Sequence, residues 1–253
     1  MNIGEMIAHH VLDHDWGISL GGFRLPITNH SVTMVVVSIL LVAGMYFVAR
    51  TGANGKRSLL TTLAEEYVTF IRDGIVLPNI GETGRKMLPY FCTLFLFILS
   101  MNLVGMIPEA KTATSNVSVT AALALYTGFL IFHNGIKAHG LIGFLKGFVP
   151  EGTPVWLAPF IFVLEAISTI IKVGVLAVRL FANMFAGHLV LFCLLLIVFI
   201  IGKLYLVGGI GAVLPVMGME VFVSCLELLV AFLQAYVFTL LTSIFVGSVV
   251  QGH

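Results

Sequence analysis

Long apolar stretches separated by short polar segments run along this chain. The first three cover residues 32–49, 89–107 and 117–136, and none of them contains Asp, Glu, Lys or Arg. A helix of about twenty apolar residues crosses the hydrocarbon core of a bilayer. The pattern therefore predicts three membrane-spanning helices. Arg50 and Pro108 mark the ends of the first two.

The polar segment between the first two spans contains a second kind of pattern. Apolar residues recur at helical spacing over residues 59–77, and charged residues occupy the other side. Such an amphipathic helix carries too many charges to span a bilayer, so we expect it to lie on the membrane surface. Its apolar residues are Leu60, Leu63, Tyr67, Ile71 and Ile75.

Two later apolar stretches are much longer than one span. Residues 160–201 contain no proline, and as one helix they would extend about 63 Å, twice the thickness of the hydrocarbon core. Two spans with an unmarked turn and one strongly tilted helix both fit this length, and the lack of turn residues favours the tilted helix. A loop predicted at residues 203–215 leads to a second long helix, residues 216–250. Together the two long helices form a tilted hairpin.

The composition agrees with a membrane protein. Apolar residues make up 59% of the chain and charged residues 10%, and the mean hydropathy is +1.08. Soluble globular proteins carry about 25% charged residues, so a soluble enzyme is excluded. Long unbroken runs also argue against a β-barrel, whose strands alternate. The net charge of +1 gives no indication of nucleic-acid binding.

We therefore predict an all-α integral membrane protein that forms a single membrane domain over residues 1–253. Residues 1–30 form an outer N-terminal segment, residues 31–136 hold three spans and the surface helix, and residues 160–250 form the hairpin. With five crossings, eight of the basic residues outside the hairpin helices and the other spans face one side and three face the other. Basic residues favour the cytoplasmic side, which places the N-terminus outside and the C-terminus inside. Cys92, Cys193 and Cys225 lie in apolar runs, which predicts buried, inert thiols.

Ionisable residues inside the hairpin follow a seven-residue period. Glu165, Lys172 and Arg179 are each seven apart on the first long helix. Seven residues turn an α-helix to within about 20° of two full turns, so each long helix carries one polar stripe. Charges at membrane depth cost several kcal/mol and are functional candidates. The second long helix repeats the spacing with Glu220, Glu227 and Gln234.

Several of these residues also have a structural interpretation. Lys172, Glu165 and Glu220 can lie near an interface and reach towards the headgroups. Asn183, which extends the first stripe, and Gln234 can form hydrogen bonds between helices. His188 and Glu227 can form a structural polar contact.

Arg179 fits a structural role least well. Its side chain stays charged at any physiological pH, and no acid lies one or two turns away on its helix. The nearest acid on the stripe, Glu165, is about 21 Å away along the helix axis.

Two segments closely resemble the signatures of subunit a of rotary proton-translocating ATP synthases. They are LAVRLFANMFAGH, residues 176–188, and LLVAFLQAYVFTLLTSIF, residues 228–245. The resemblance extends over essentially the whole chain. It implies that the hairpin faces a ring of c subunits with membrane-embedded carboxylates, and that two offset aqueous half-channels carry H⁺ to and from the ring. A sodium-translocating version stays open.

The resemblance also implies partners and a location. The partners are the c-ring, the peripheral-stalk b subunits, the remaining ATP synthase subunits and membrane lipids. It implies no cofactor, no metal and no catalysis by this chain, because ATP chemistry belongs to other subunits. The implied location is a bacterial inner membrane, with the mitochondrial inner membrane as the alternative.

Site roles follow from the resemblance residue by residue. Arg179 matches the essential arginine that faces the ring carboxylates and separates the half-channels. Asn183 and Gln234 match polar positions near it. Glu165 matches a carboxylate on the cytoplasmic exit side, and Glu220 suits the side of proton uptake.

His188 and Glu227 depart from the pattern of many bacterial members, which have Glu after the AG and His on the last helix. The two identities are exchanged here, as in the mitochondrial and α-proteobacterial branch. Either residue can be the primary proton relay.

Two rival classes lack their expected features. A secondary transporter would show inverted repeats or helices broken by Gly and Pro. An intramembrane protease would show HExxH or a Ser/His pair at a recognisable elbow.

Overall fold

A computed structural model describes residues 18–20, 23–25, 29–53, 58–106, 117–149, 153–154, 156–204 and 209–251. Almost all of the described residues are helical. The elements are strands β1 Ile18–Leu20 and β2 Phe23–Leu25 and helices α1 Asn29–Ala53, α2 Leu59–Ile71, α3 Leu77–Ile80, α4 Leu88–Gly105, α5 Val117–Lys146, α6 Ala158–Leu204 and α7 Gly209–Gln251. A π-helical turn, Arg72–Val76, joins α2 to α3, and a 3₁₀ helix, Glu82–Met87, precedes α4.

Within these described ranges, five helices are long and apolar enough to cross a membrane: α1, α4, α5, α6 and α7. This confirms the predicted all-α integral membrane fold with five spans. The first long helix is also confirmed, since α6 is one helix of 47 residues without a turn. Its tilt stays a prediction.

Two predicted boundaries are wrong. The third span, predicted to end at residue 136, continues in helical conformation as far as Lys146, with a kink at Gly140, whose φ is 72°. The loop expected at residues 203–215 is largely helical, since α7 begins at Gly209. Pro215 therefore lies inside α7, where it removes one backbone hydrogen bond that a helix of 43 residues tolerates.

The N-terminal segment contains structure that the sequence pattern did not predict. β1 and β2 pair antiparallel, with Ile18 opposite Leu25 and Leu20 opposite Phe23. Most of the predicted segment 1–30, including its histidines, lies outside the described residues.

The first part of the predicted surface helix is exposed, and its last part is buried in the core of the protein. It begins at Leu59, where the Ser58 backbone N–H donates to Thr61 Oγ1 at 3.0 Å. Leu60 and Leu63 are exposed, as expected for a helix on the membrane. Beyond Ile71 the chain enters the π-helical turn and α3, and the predicted apolar face is then fully buried.

This buried segment fixes the position of α7. Ser243 Oγ of α7 donates to the Ile75 carbonyl at 3.0 Å, and Asn79 Nδ2 donates to the same oxygen at 2.7 Å. Gly247 approaches so closely that a Cβ there would overlap the Asn79 carbonyl oxygen. The close approach holds the polar stripe of α7 at a fixed rotation against its neighbours.

Candidate functional site

Arg179 lies on α6 beside a groove between the two long helices. The side chain is half-buried, and the groove has a volume of about 490 Å³. Lys172 and Val175 of α6 and Leu241 and Phe245 of α7 line it together with Arg179. Arg179 makes no ion pair or hydrogen bond with any residue that the structure describes. An anion that neutralises it must therefore come from elsewhere.

Glu165 and Lys172 form an ion pair that the sequence did not predict. Lys172 Nζ lies 3.2 Å from Glu165 Oε1, and both side chains are a little under half exposed. Their spacing of seven residues could have predicted this ion pair, because long side chains can bridge two helical turns on one stripe. Lys172 Nζ also lies 5.9 Å from the centroid of the Phe245 ring, within range of a cation–π contact.

The same two residues face a larger cavity of about 930 Å³ at the N-terminal end of α6. Thr169 of α6, His139 and Lys146 of α5 and Ser248 of α7 add to its polar lining. His139 is tied to the end of α7, since its Nε2 lies 3.2 Å from the Val250 carbonyl oxygen. By the predicted orientation, this cavity opens towards the cytoplasm.

Glu227 of α7 packs against Gly187 of α6. A Cβ at Gly187 would lie 2.8 Å from Glu227 Oε1 and 3.3 Å from its Cδ, so glycine leaves the space that the carboxyl group fills. Oε1 is buried and has no hydrogen-bond partner among the described residues. The next residue, His188, belongs to α6 by its backbone, but its side chain lies outside the described residues. The pairing of His188 with Glu227 therefore stays a prediction.

Gln234 is buried seven residues further along the same face of α7. Its Nε2 also has no hydrogen-bond partner within the described part of the chain. Asn102 of α4, which the sequence reasoning missed, contacts α7 at Ala231, a position between Glu227 and Gln234 in the sequence. It is fully buried, and its Nδ2 donates to the Ala231 carbonyl at 3.3 Å, while its Oδ1 is unpaired among described groups. The sequence feature that could have identified Asn102 is a single amide side chain inside a predicted span.

The remaining predicted site residues stand apart from these contacts. Asn183 is half-buried on α6, four residues after Arg179. Glu220 is half-buried on α7, and its backbone carbonyl accepts a hydrogen bond from Ser224 Oγ at 2.9 Å. Neither side chain forms a hydrogen bond with a described residue.

The cysteine prediction is wrong for two of the three residues. Cys92 is buried, whereas Cys193 and Cys225 are exposed. Both lie on the long helices, whose outer faces have few neighbours within the chain. Apolar sequence around a thiol therefore did not mean burial by protein.

Comparison with known proteins decides the family. The family model of the ATP synthase A chain matches residues 31–247. The chain belongs to this family. It is 40% identical to ATP synthase subunit a of Myxococcus xanthus over 94% of this chain and 77% of the relative. It is also 40% identical to ATP synthase subunit a of Rhodopseudomonas palustris over 92% of each chain, and 39% identical to that of Rhizobium rhizogenes over 93% and 94%.

Family membership confirms the recognition made from residues 176–188 and 228–245, including the α-proteobacterial relatives. The ATP synthase subunit a family implies proton translocation in the membrane sector of that complex, with other ATP synthase subunits as partners. Together with the five candidate spans, it makes the chain a multi-pass membrane protein.

Proposed function

We propose that this chain is the stator subunit that provides two offset aqueous half-channels to a ring of c subunits. Proton flow through them drives rotation of the ring and, on other subunits, ATP synthesis. Arg179 is the observation that carries the proposal. It is a permanent cation in the middle of a long apolar helix, and the described part of the chain offers it no counter-ion.

An arginine at membrane depth costs about 3 kcal/mol or more unless it meets an anion or water. A deprotonated carboxylate on a passing ring subunit would supply that anion. The outer face of α6 suits such a partner, because Ile170, Val175 and Val178 are exposed and apolar. Ring helices and lipid are the surroundings that this face can tolerate.

The uptake half-channel follows the polar face of α7. Glu227 and Gln234 on one stripe of α7, and Asn102 of α4 beside Ala231, each place an unpaired polar atom in the interior. Buried polar atoms are ordinarily satisfied, by protein or by ordered water, so water is the natural partner here. Glu220, further towards the outer end of the helix, would receive protons, and His188 with Glu227 would relay them.

The exit half-channel is the cavity at Glu165. Its polar lining and its position at the opposite end of the hairpin make it suitable for release to the cytoplasm. Asn183, one turn from Arg179, lies between the two regions. Protons would therefore bind to the ring on one side of Arg179 and leave it on the other side.

Arg179 would separate the two half-channels. Its charge stabilises a deprotonated ring carboxylate, an effect of several kcal/mol in a medium of low dielectric constant. The same fixed charge repels a proton that moves directly from one half-channel to the other. The proton must then travel with the ring, and the membrane field supplies about 2.3 kcal/mol per charge per 100 mV.

Other faces of the chain remain for further subunits. α1 packs only lightly on α2 and α4, and most of its apolar side chains are exposed. We assign this face to lipid and to the peripheral-stalk b subunits in a bacterial inner membrane, with the mitochondrial inner membrane as the alternative. The chain itself would perform no ATP chemistry and need no cofactor.

Arg179→Ala tests the proposal. We expect an assembled complex that neither synthesises ATP nor pumps protons, and a passive proton leak in vesicles stripped of the soluble head. Arg179→Lys should also fail, since a compact ammonium lacks the planar fork of arginine. Arg85→Ala is the control, because Arg85 is exposed and paired with Glu82 at 2.6 Å. Normal synthesis in Arg179→Ala would refute the proposal.

A further inference from the structure

We propose that Lys172 and Phe245 form a gate between the groove at Arg179 and the cavity at Glu165. The gate would let protons through and hold back larger hydrated cations. This inference rests on the proposed function, because the groove and the cavity matter as the ring contact and the exit half-channel.

The two spaces lie against neighbouring faces of α6. Val175 and Arg179 line the groove, and Glu165 and Thr169 line the cavity. Among the described lining residues, Lys172 and Phe245 are the two that border both spaces. Any passage from one space to the other that stays between the helices must therefore go past this pair.

The pair is held closed by contacts from both long helices. Lys172 Nζ of α6 is 3.2 Å from Glu165 Oε1 on one side and 5.9 Å from the centroid of the Phe245 ring on the other. A cation over an aromatic face is attracted by the ring quadrupole. The contact thus joins α6 to α7 at the point where the two spaces meet.

The chemistry of the pair suits discrimination between protons and other cations. A proton can move through water and a carboxylate by exchange of hydrogen bonds, so it needs no opening of its own diameter. A hydrated metal cation needs that opening. The fixed positive charge of Lys172 repels protons and metal cations alike, so it slows the passage of every cation without discriminating between them. The aromatic ring therefore supplies the steric barrier that discriminates between a proton and a hydrated cation, and the ammonium adds an electrostatic barrier to every cation.

Accessibility of introduced cysteines can test the gate without a measurement of proton flux. In the complete ATP synthase, with Cys92, Cys193 and Cys225 replaced by serine, Val175→Cys reports on the groove and Thr169→Cys on the cavity. Inside-out vesicles are treated with two membrane-impermeant methanethiosulfonates of similar size, one cationic and one anionic. We expect fast labelling at position 169 and slow labelling at position 175.

Opening the gate should change only the groove reporter. With Phe245→Leu, labelling at position 175 should rise about tenfold with both reagents, which corresponds to about 1.4 kcal/mol. With Lys172→Met, the cationic reagent should gain more than the anionic one. The matched controls are Phe162→Leu and Lys146→Met, because Phe162 and Lys146 line the cavity alone.

Three results would overturn the gate. They are equal labelling of the two reporters in the parent, no labelling at position 169, and no effect of either gate variant at position 175. Each is independent of the proposed function, which fails only if Arg179→Ala retains ATP synthesis. Slow labelling at position 175 that both gate variants relieve and neither control relieves would establish the gate.

Discussion

The two long helices of the hairpin are alike in sequence and different in their surroundings. α6 and α7 have 47 and 43 residues and are similarly apolar. In an apolar window of 18 residues within each candidate span, buried residues make up 6% in α6 and 22% in α7. α7 packs against α4, α5, α6 and the segment 72–80, whereas α6 packs on α5 and α7 and leaves one face open. The same composition therefore serves a protein core in one helix and an outward-facing surface in the other.

Their polar residues differ in the same way. On α6, Lys172 and Arg179 border spaces that open outward from the hairpin. On α7, Glu227 and Gln234 are directed inward and keep an unpaired polar atom in the interior. The proposed function would use α6 to present fixed charges to a moving partner and α7 to line a path inside the subunit.

Loss of a large side chain should give the largest difference in stability between variants of α7 and variants of α6. Phe238 of α7 is 1% exposed and Phe160 of α6 is 60% exposed. Phe238→Ala should lower the free energy of unfolding by about 3–5 kcal/mol, because it leaves a cavity in the core. Phe160→Ala should change it far less. Heat-induced loss of this subunit from the purified complex measures both, and equal losses would contradict the comparison.

Glycine replacements should give the next largest difference. A Cβ at Gly247 of α7 would overlap the Asn79 carbonyl oxygen, whereas Gly174 of α6 has no such neighbour within 4 Å. Gly247→Ala should cost about 1–3 kcal/mol through overpacking. Gly174→Ala should be neutral or stabilise the helix by up to about 1 kcal/mol. The same heating experiment applies, and a harmless Gly247→Ala would show that α7 is not clamped by segment 72–80.

The relay prediction tests whether α6 and α7 act together. We expect Glu227→Gln and His188→Ala each to slow proton flux with little loss of assembly. If the residues form one relay, the double variant should lose less than the product of the single losses, with a coupling of about 0.5–3 kcal/mol. Flux in vesicles stripped of the soluble head provides the measurement. A simple product would mean that the residues act separately.

Asn102 should give the smallest effect. Asn102→Leu removes an interhelical hydrogen bond to Ala231, and such bonds contribute about 0.6 kcal/mol on average. It also removes an unpaired oxygen from the proposed path, so we expect proton flux to fall more than stability. Asn134→Leu is the control, because Asn134 donates to the Leu130 carbonyl within its own helix. Equal flux in the two variants would remove Asn102 from the path.

Spans and stripes were predictable because each depends on neighbours along the chain. Apolar runs indicated five spans, and a period of seven placed Glu165 and Lys172 on one face, where the structure pairs them. Helix ends were less predictable, since Gly140 bends the chain and Pro215 does not interrupt it. Local sequence limits the conformations that a residue can adopt, and tertiary packing determines which of them occurs.

The sequence by itself determined the class of protein, the number of spans, the two long helices and the residues with charge at membrane depth. It did so because the cost of placing polar groups in lipid acts on each segment separately. Only the tertiary structure decided that α7 is core and α6 is surface, that Asn102 of α4 contacts Ala231 of α7, and that Lys172 meets Phe245. These contacts join residues far apart in the chain, and a local pattern of apolar and polar positions does not specify which distant faces meet.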